Sequence, residues 1–158
     1  MRYIFSICIL FFSVITFAQA GRSEKSGDIV KIIEKSTRAP RRMVEKNITA
    51  FFSLKLILSN NNKLDTILAT KYAPLEIAPV LCDKAKYENV KWDSLFKRNT
   101  RKGDIVLIPI AIYSGDAQNT MFYEYTLDDL FNFSGRANNL FNCLMMQTIV
   151  VKYGAIMK

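Results

Sequence analysis

The stretch ITAFFSLKLILSNNNKLDTILATKYAP, residues 48–74, decides the fold. Ala50, Phe52, Leu54, Leu56 and Leu58 take every second position. The set between them (Thr49, Phe51, Ser53, Lys55 and Ile57) is mixed. A period of two in apolar and aromatic side chains is the pattern of a strand that buries one face. Asn60, Asn61 and Asn62 tolerate a left-handed backbone, so SNNNK reads as a turn. LDTILAT is then the returning strand of a hairpin. Pro74 and Pro79 bound an irregular piece beyond it.

Working toward the C-terminus, APVLCDKAKYENVKWDSLFKR (78–98) reads as helical in two pieces, near 79–87 and 92–98. Asn99 to Gly103 is a turn. DIVLIPIAIYS (104–114) is the strongest apolar run after residue 20 and reads as a strand buried on both faces. Pro109 has no N–H for a ladder, so its position is expected at an edge or a bulge. MFYEY (121–125) follows the loop GDAQNT as a short strand. Thr126 and Asp129 resemble a capping box that opens a helix over LDDLFNF. A further helix is expected over Ala137 to Met146, and TIVVKY (148–153) is a last strand. Toward the N-terminus, Asp28 caps a short helix with Ile29, Ile32 and Ile33 on one face, and Pro40 ends it.

The chain begins MRYIFSICILFFSVITFAQA. Arg2 is followed by an apolar run from Tyr3 to Phe17, then by Ala18-Gln19-Ala20, a small-x-small cleavage pattern. The run is shorter than the roughly 20 apolar residues a spanning helix needs. Residues 1–20 are therefore expected to be a cleaved signal peptide, with 21–158 a single exported α+β domain, secreted or periplasmic. No second apolar run of spanning length follows, so no stable membrane span is expected after processing.

The net charge is +8, and it drops by one when Arg2 leaves. The dense patches hold Arg38, Arg41 and Arg42, then Lys97, Arg98, Arg101 and Lys102. Such patches attract polyanions or an anionic membrane face, or simply solvate the surface. Nucleic acid is not an expected partner of an exported chain. Cys82 and Cys143 remain once Cys8 is removed. In an oxidising compartment they could form one disulfide; their apolar neighbours fit two separate buried thiols equally well.

The chain contains no histidine. That removes imidazole bases, Ser-His-Asp and Cys-His machinery and His metal sites. No phosphate-binding glycine loop is present, and no cofactor is expected. Asp128 and Asp129 are neighbours and diverge by about 100° on a helix, so they do not converge on one substrate. The aromatic residues read mostly as core. The exception is the segment with Met121, Phe122, Tyr123 and Tyr125. Alternation there would expose one side, and an exposed strand edge can accept a partner strand.

Pro40, the basic turn RRMVEKNI, the hairpin TAFFSLKLILSNNNKLDTILAT, Trp92 and the strand over 104–113 follow one another in a familiar order. This layout resembles the C-terminal domain of TonB-type energy transducers over about residues 38–113. The resemblance implies a small α+β module that binds a partner segment by edge-strand pairing.

The expectation is an α+β fold, a small antiparallel sheet of three to four strands packed by helices on one face. The expected function is a non-enzymatic binding or interaction module at a bacterial cell envelope. Its partner would be an envelope protein or peptide segment, met through an edge at MFYEY and 104–113 and through the basic patches. The rival readings are an exported enzyme using carboxylates or Cys143 in an aromatic cleft, and a carrier of a hydrophobic ligand.

Overall fold

The computed structural model describes residues 27–46, 48–60, 62–115, 130–133 and 143–154. The signal segment and Met121, Phe122, Tyr123 and Tyr125 lie outside the described residues, as does the capping box at Thr126. The elements in order are α1 (Gly27–Ser36), α2 (Arg41–Glu45), β1 (Ala50–Leu58), β2 (Leu64–Ala69), α3 (Ala78–Leu81), a single 3-10 turn (Lys84–Tyr87), α4 (Trp92–Phe96), β3 (Ile105–Ser114), β4 (Cys143–Met145) and β5 (Ile149–Tyr153).

The fold is α+β, with a small sheet in the order β2-β1-β3, and both β4 and β5 paired to β3. β1 is antiparallel to β2 and to β3, whereas β4 and β5 run parallel to β3. Among the described residues the sheet is thus five-stranded and mixed rather than wholly antiparallel. Alternation shows that a segment is a strand but not which way it runs beside a distant neighbour. The expected helix over 137–146 is also corrected, because Cys143–Met145 is strand β4. Three residues are too few for either periodicity to show.

The alternating set of β1 forms the core as expected. Phe52, Leu54, Leu56 and Leu58 are buried, and the register sets Phe52 against Ile110, Leu54 against Ile108 and Leu56 against Val106. All the described helices pack on this face: Ile29 and Ile33 from α1, Met43 from α2, Leu81 from α3, Tyr87 and Trp92. Each such aliphatic or aromatic side chain contributes about 1.5–3 kcal/mol when taken out of water. α1 places Asp28 in its first turn and Lys35 in its last, each of the sign that its helix end favours. The second face of the sheet is also closed: Ser53, Lys55, Leu107 and Ala111 are buried, with Phe133 among them.

The backbone directions follow from three hydrogen bonds. Thr70 N–H donates to the Ser53 carbonyl at 3.0 Å, so odd positions of β1 face β2. Leu58 N–H donates to the Asp104 carbonyl at 2.8 Å, so even positions face β3. The odd positions of β3 must then face β4 and β5, and Met146 N–H does donate to the Leu107 carbonyl at 2.9 Å. Pro109 is one of these odd positions. β4 pairs residues 105–107 and β5 begins pairing at Ile110, so Pro109 faces the break between them. The residue sits in a central strand rather than at an edge, and its missing N–H falls where no strand residue needs it.

The β1–β2 turn is bound to the loop before β3. Asn62 adopts φ +59° and its side-chain oxygen accepts Asp93 N–H at 2.8 Å. Asn62 N–H donates to Thr100 Oγ1 at 3.1 Å, and Thr100 N–H donates to Asp93 Oδ1 at 2.6 Å. Gly103, at φ +87°, turns the chain so that Gly103 N–H reaches the Leu58 carbonyl at 2.9 Å. Asp104 closes the loop. It accepts two hydrogen bonds from Arg98, at 2.7 and 2.9 Å, and one from Arg101 N–H at 2.8 Å. The Arg98 guanidinium, chiefly through these hydrogen bonds, holds the Asp104 carboxyl below its ordinary value. A depressed carboxyl pKa gives stability that is present above the unfolded value of about 3.9 and is lost as pH falls through the folded value. Asp104→Asn is therefore expected to flatten the loss of stability below about pH 4. Urea midpoints at pH 3 and pH 6 check this, and an acid limb identical to wild type would remove Asp104 from the account.

Candidate functional site

The two outer edges of the sheet differ. At β2 the register slips between Ile57 and Leu58, which bends the strand. Burial raises the pKa of Cys82, and the nearby Ala69 N–H partly offsets that rise. Thr70 bridges to Phe133, and Lys71 N–H donates to the Asn132 carbonyl at 2.9 Å. A short strand with a bulge and capped backbone groups is a guarded edge.

Among the described residues, no strand pairs with the outer side of β5. Gly115 N–H donates to the Tyr153 carbonyl at 2.8 Å, so Ile149, Val151 and Tyr153 turn their backbone groups toward β3. In a parallel ladder the alternate residues, Val150 and Lys152, turn theirs away. Among the described residues none pairs with those outward groups. The side chains of both residues are exposed, Val150 by 44%. Lys152 Nζ stands 5.7 Å from the ring centre of Tyr113, its neighbour across the ladder. On the core face the Tyr153 hydroxyl lies 2.8 Å from the Ile48 carbonyl and 3.1 Å from that of Met43, which anchors the end of β5. The run IVVKY is rich in β-branched residues and keeps its strand form at an edge.

The residues singled out from the sequence are dispersed. The 104–113 stretch is not an edge: β3 is central, paired on both sides. The two basic patches stand near opposite ends of β1. Residues 41–45 precede its start, and 97–102 lead into Asp104, which bonds Leu58 at its end. The eight steps along the nine residues of β1, at about 3.3 Å each, separate them by roughly 26 Å. Arg98 is engaged by Asp104, and Arg41 Nε meets Glu45 Oε1 at 2.7 Å.

Cys82 and Cys143 are free thiols, not a disulfide. Cys82 sits beside the outer edge of β2 and Cys143 is on β4, across three strand spacings. At about 4.8 Å per strand that is roughly 14 Å, twice the reach of about 7 Å a bridge allows. Burial pushes both thiols up, more than the Ala69 and Leu107 N–H groups pull them down. Both are expected to alkylate slowly when native and fully in denaturant without reductant. Peptide mass mapping checks this, and a linked Cys82–Cys143 peptide would refute it.

A cleft of about 440 Å³ is lined by Asn62, Lys63, Leu64, Lys84, Tyr87, Glu88 and Trp92. Tyr87 and Trp92 are themselves buried, and the Tyr87 hydroxyl donates to the Leu81 carbonyl at 3.0 Å. Burial pushes that phenol up, so it stays protonated. The charged groups Lys63, Lys84 and Glu88 stand exposed on the rim. Among the described residues no three His, Cys, Asp or Glu side chains gather as metal ligands, and no helix is long and apolar enough to cross a membrane. Lys55, in the mixed alternate set of β1, is 1% exposed with its ammonium 5.6 Å from the Phe133 ring centre, and burial pushes its pKa down. No family model, no curated protein and no solved structure matches this chain.

Proposed function

We propose that this is an exported, non-enzymatic binding module of a bacterial envelope that captures an extended segment of a partner along the outer edge of β5. The observation that carries this reading is the pair of outward-facing backbone positions, Val150 and Lys152, with exposed side chains. Edge pairing draws its affinity from main-chain hydrogen bonds and its selectivity from alternate side chains. The resemblance in layout to TonB-type C-terminal domains implies the same mode of binding. The guarded β2 edge favours β5 as the acceptor. An enzyme site needs convergent polar groups in a shaped pocket, whereas the charged groups of the cleft stand at its rim.

The test is a photoreactive side chain at position 150, followed by cross-linking in the producing cells. A cross-link joining residues 143–154 to one envelope protein, retained at high salt, is the expected result. Cross-linked protein that still carries residues 1–20 and lies in the cytosol would overturn the export half of the reading, and the absence of any cross-link would overturn the binding half.

A further inference from the structure

The chemistry of the β5 edge defines what it can accept, given the strand-capture reading above. Val150 and Lys152 are two residues apart, so their side chains share the second face of the sheet. Both are exposed there. The side chain directly opposite each one in an added strand would stand about 4.5–5.5 Å away, β-carbon to β-carbon. We propose that the captured segment carries an aliphatic side chain opposite Val150 and a carboxylate opposite Lys152, two positions apart. The spacing is the same whether the partner strand runs parallel or antiparallel, and only the order of the two residues reverses.

Charge selects the acid. β4 (CLM) and β5 (IVVKY) carry no carboxylate. The Lys152 ammonium lies over the Tyr113 ring, which holds the cation on the face a partner would reach. Opposite charges directly across a ladder stabilise the pair and like charges oppose it. A second copy of this chain is the disfavoured occupant. Antiparallel self-pairing centred on Val151 would set each Lys152 across from a Val150 and leave both ammonium groups without a counter-charge. Each copy would also bring its own strong positive charge, +8 for the full sequence less one for Arg2.

The test uses two short extended peptides with alternating threonines. One holds a glutamate and a valine two positions apart, and the other holds lysine in place of the glutamate. Each is made in both residue orders and titrated into the purified protein at low salt, with the amide signals of Val150 and Lys152 as the readout. The glutamate peptide is expected to bind about five- to tenfold more tightly than the lysine peptide, and Lys152→Glu is expected to reverse that preference. Equal binding of both peptides by both proteins would overturn the acidic assignment while leaving edge pairing in place. Failure of any peptide to move these two signals would overturn the edge reading itself. Doubled mass in solution, with the two amides protected before any peptide is added, would overturn the proposal in favour of a second copy of the chain.

Discussion

Phe52→Ala is expected to lower the unfolding free energy by about 3–5 kcal/mol. Phe52 is fully buried in β1, opposite Ile110 on the face that receives all the described helices. Truncation removes the transfer free energy of the ring and leaves a cavity. Its neighbours sit on two hydrogen-bonded strands, so they cannot collapse far to fill it. Against a total of about 5–15 kcal/mol for a domain, the loss is a large fraction of all the stability there is. Urea unfolding followed by the fluorescence of Trp92, the single tryptophan and itself 1% exposed, reads it directly. The midpoint should fall with an unchanged slope. A loss under about 1 kcal/mol, the size of a surface change, would show that the β1–β3 interface is not the centre of the core.

Val150→Pro separates binding from folding. The Val150 N–H points away from β3, so proline there removes no bond of the β3–β5 ladder. It does remove one donor from the outer edge, and its ring blocks a strand that approaches from that side. Capture of the proposed partner segment is expected to fall at least about tenfold, the effect of losing about 1.4 kcal/mol of edge hydrogen bonding and contact. The unfolding midpoint should move little by comparison. Val151→Pro is the contrasting substitution, because the Val151 N–H lies in the β3 ladder; it should damage the fold as well. Undiminished capture by the Val150→Pro protein would sink the β5 edge as the binding site.

Much of the fold was legible in local pattern. The alternation of Phe52, Leu54, Leu56 and Leu58 marks a half-buried strand because side chains of a strand alternate between faces. The apolar run DIVLIPIAIYS (104–114) marks a strand covered on both faces, and the structure buries the strand within it almost throughout. The asparagine turn followed from the tolerance of that residue for positive φ, which Asn62 adopts. The candidate site was not legible. TIVVKY was readable as a strand, but nothing in its six residues says which side of it is paired. The basic patches looked like sites and proved to be far apart along β1, one arginine in each held by a neighbouring carboxylate.

What the residues determined alone is short-range: where strands and helices form, which of their faces is apolar, and that no imidazole chemistry is available. What only the tertiary structure decided is who lies beside whom. It made β3 central and, among the described strands, β5 an edge, turned β4 and β5 parallel to β3, placed Pro109 at the gap between them, and kept Cys82 and Cys143 apart. The physical reason is that a side chain reports its own burial through its polarity, whereas a backbone N–H or C=O is the same in every residue but proline. Its partner is chosen by packing across the whole chain, so an open edge is visible only once every other strand has found its place.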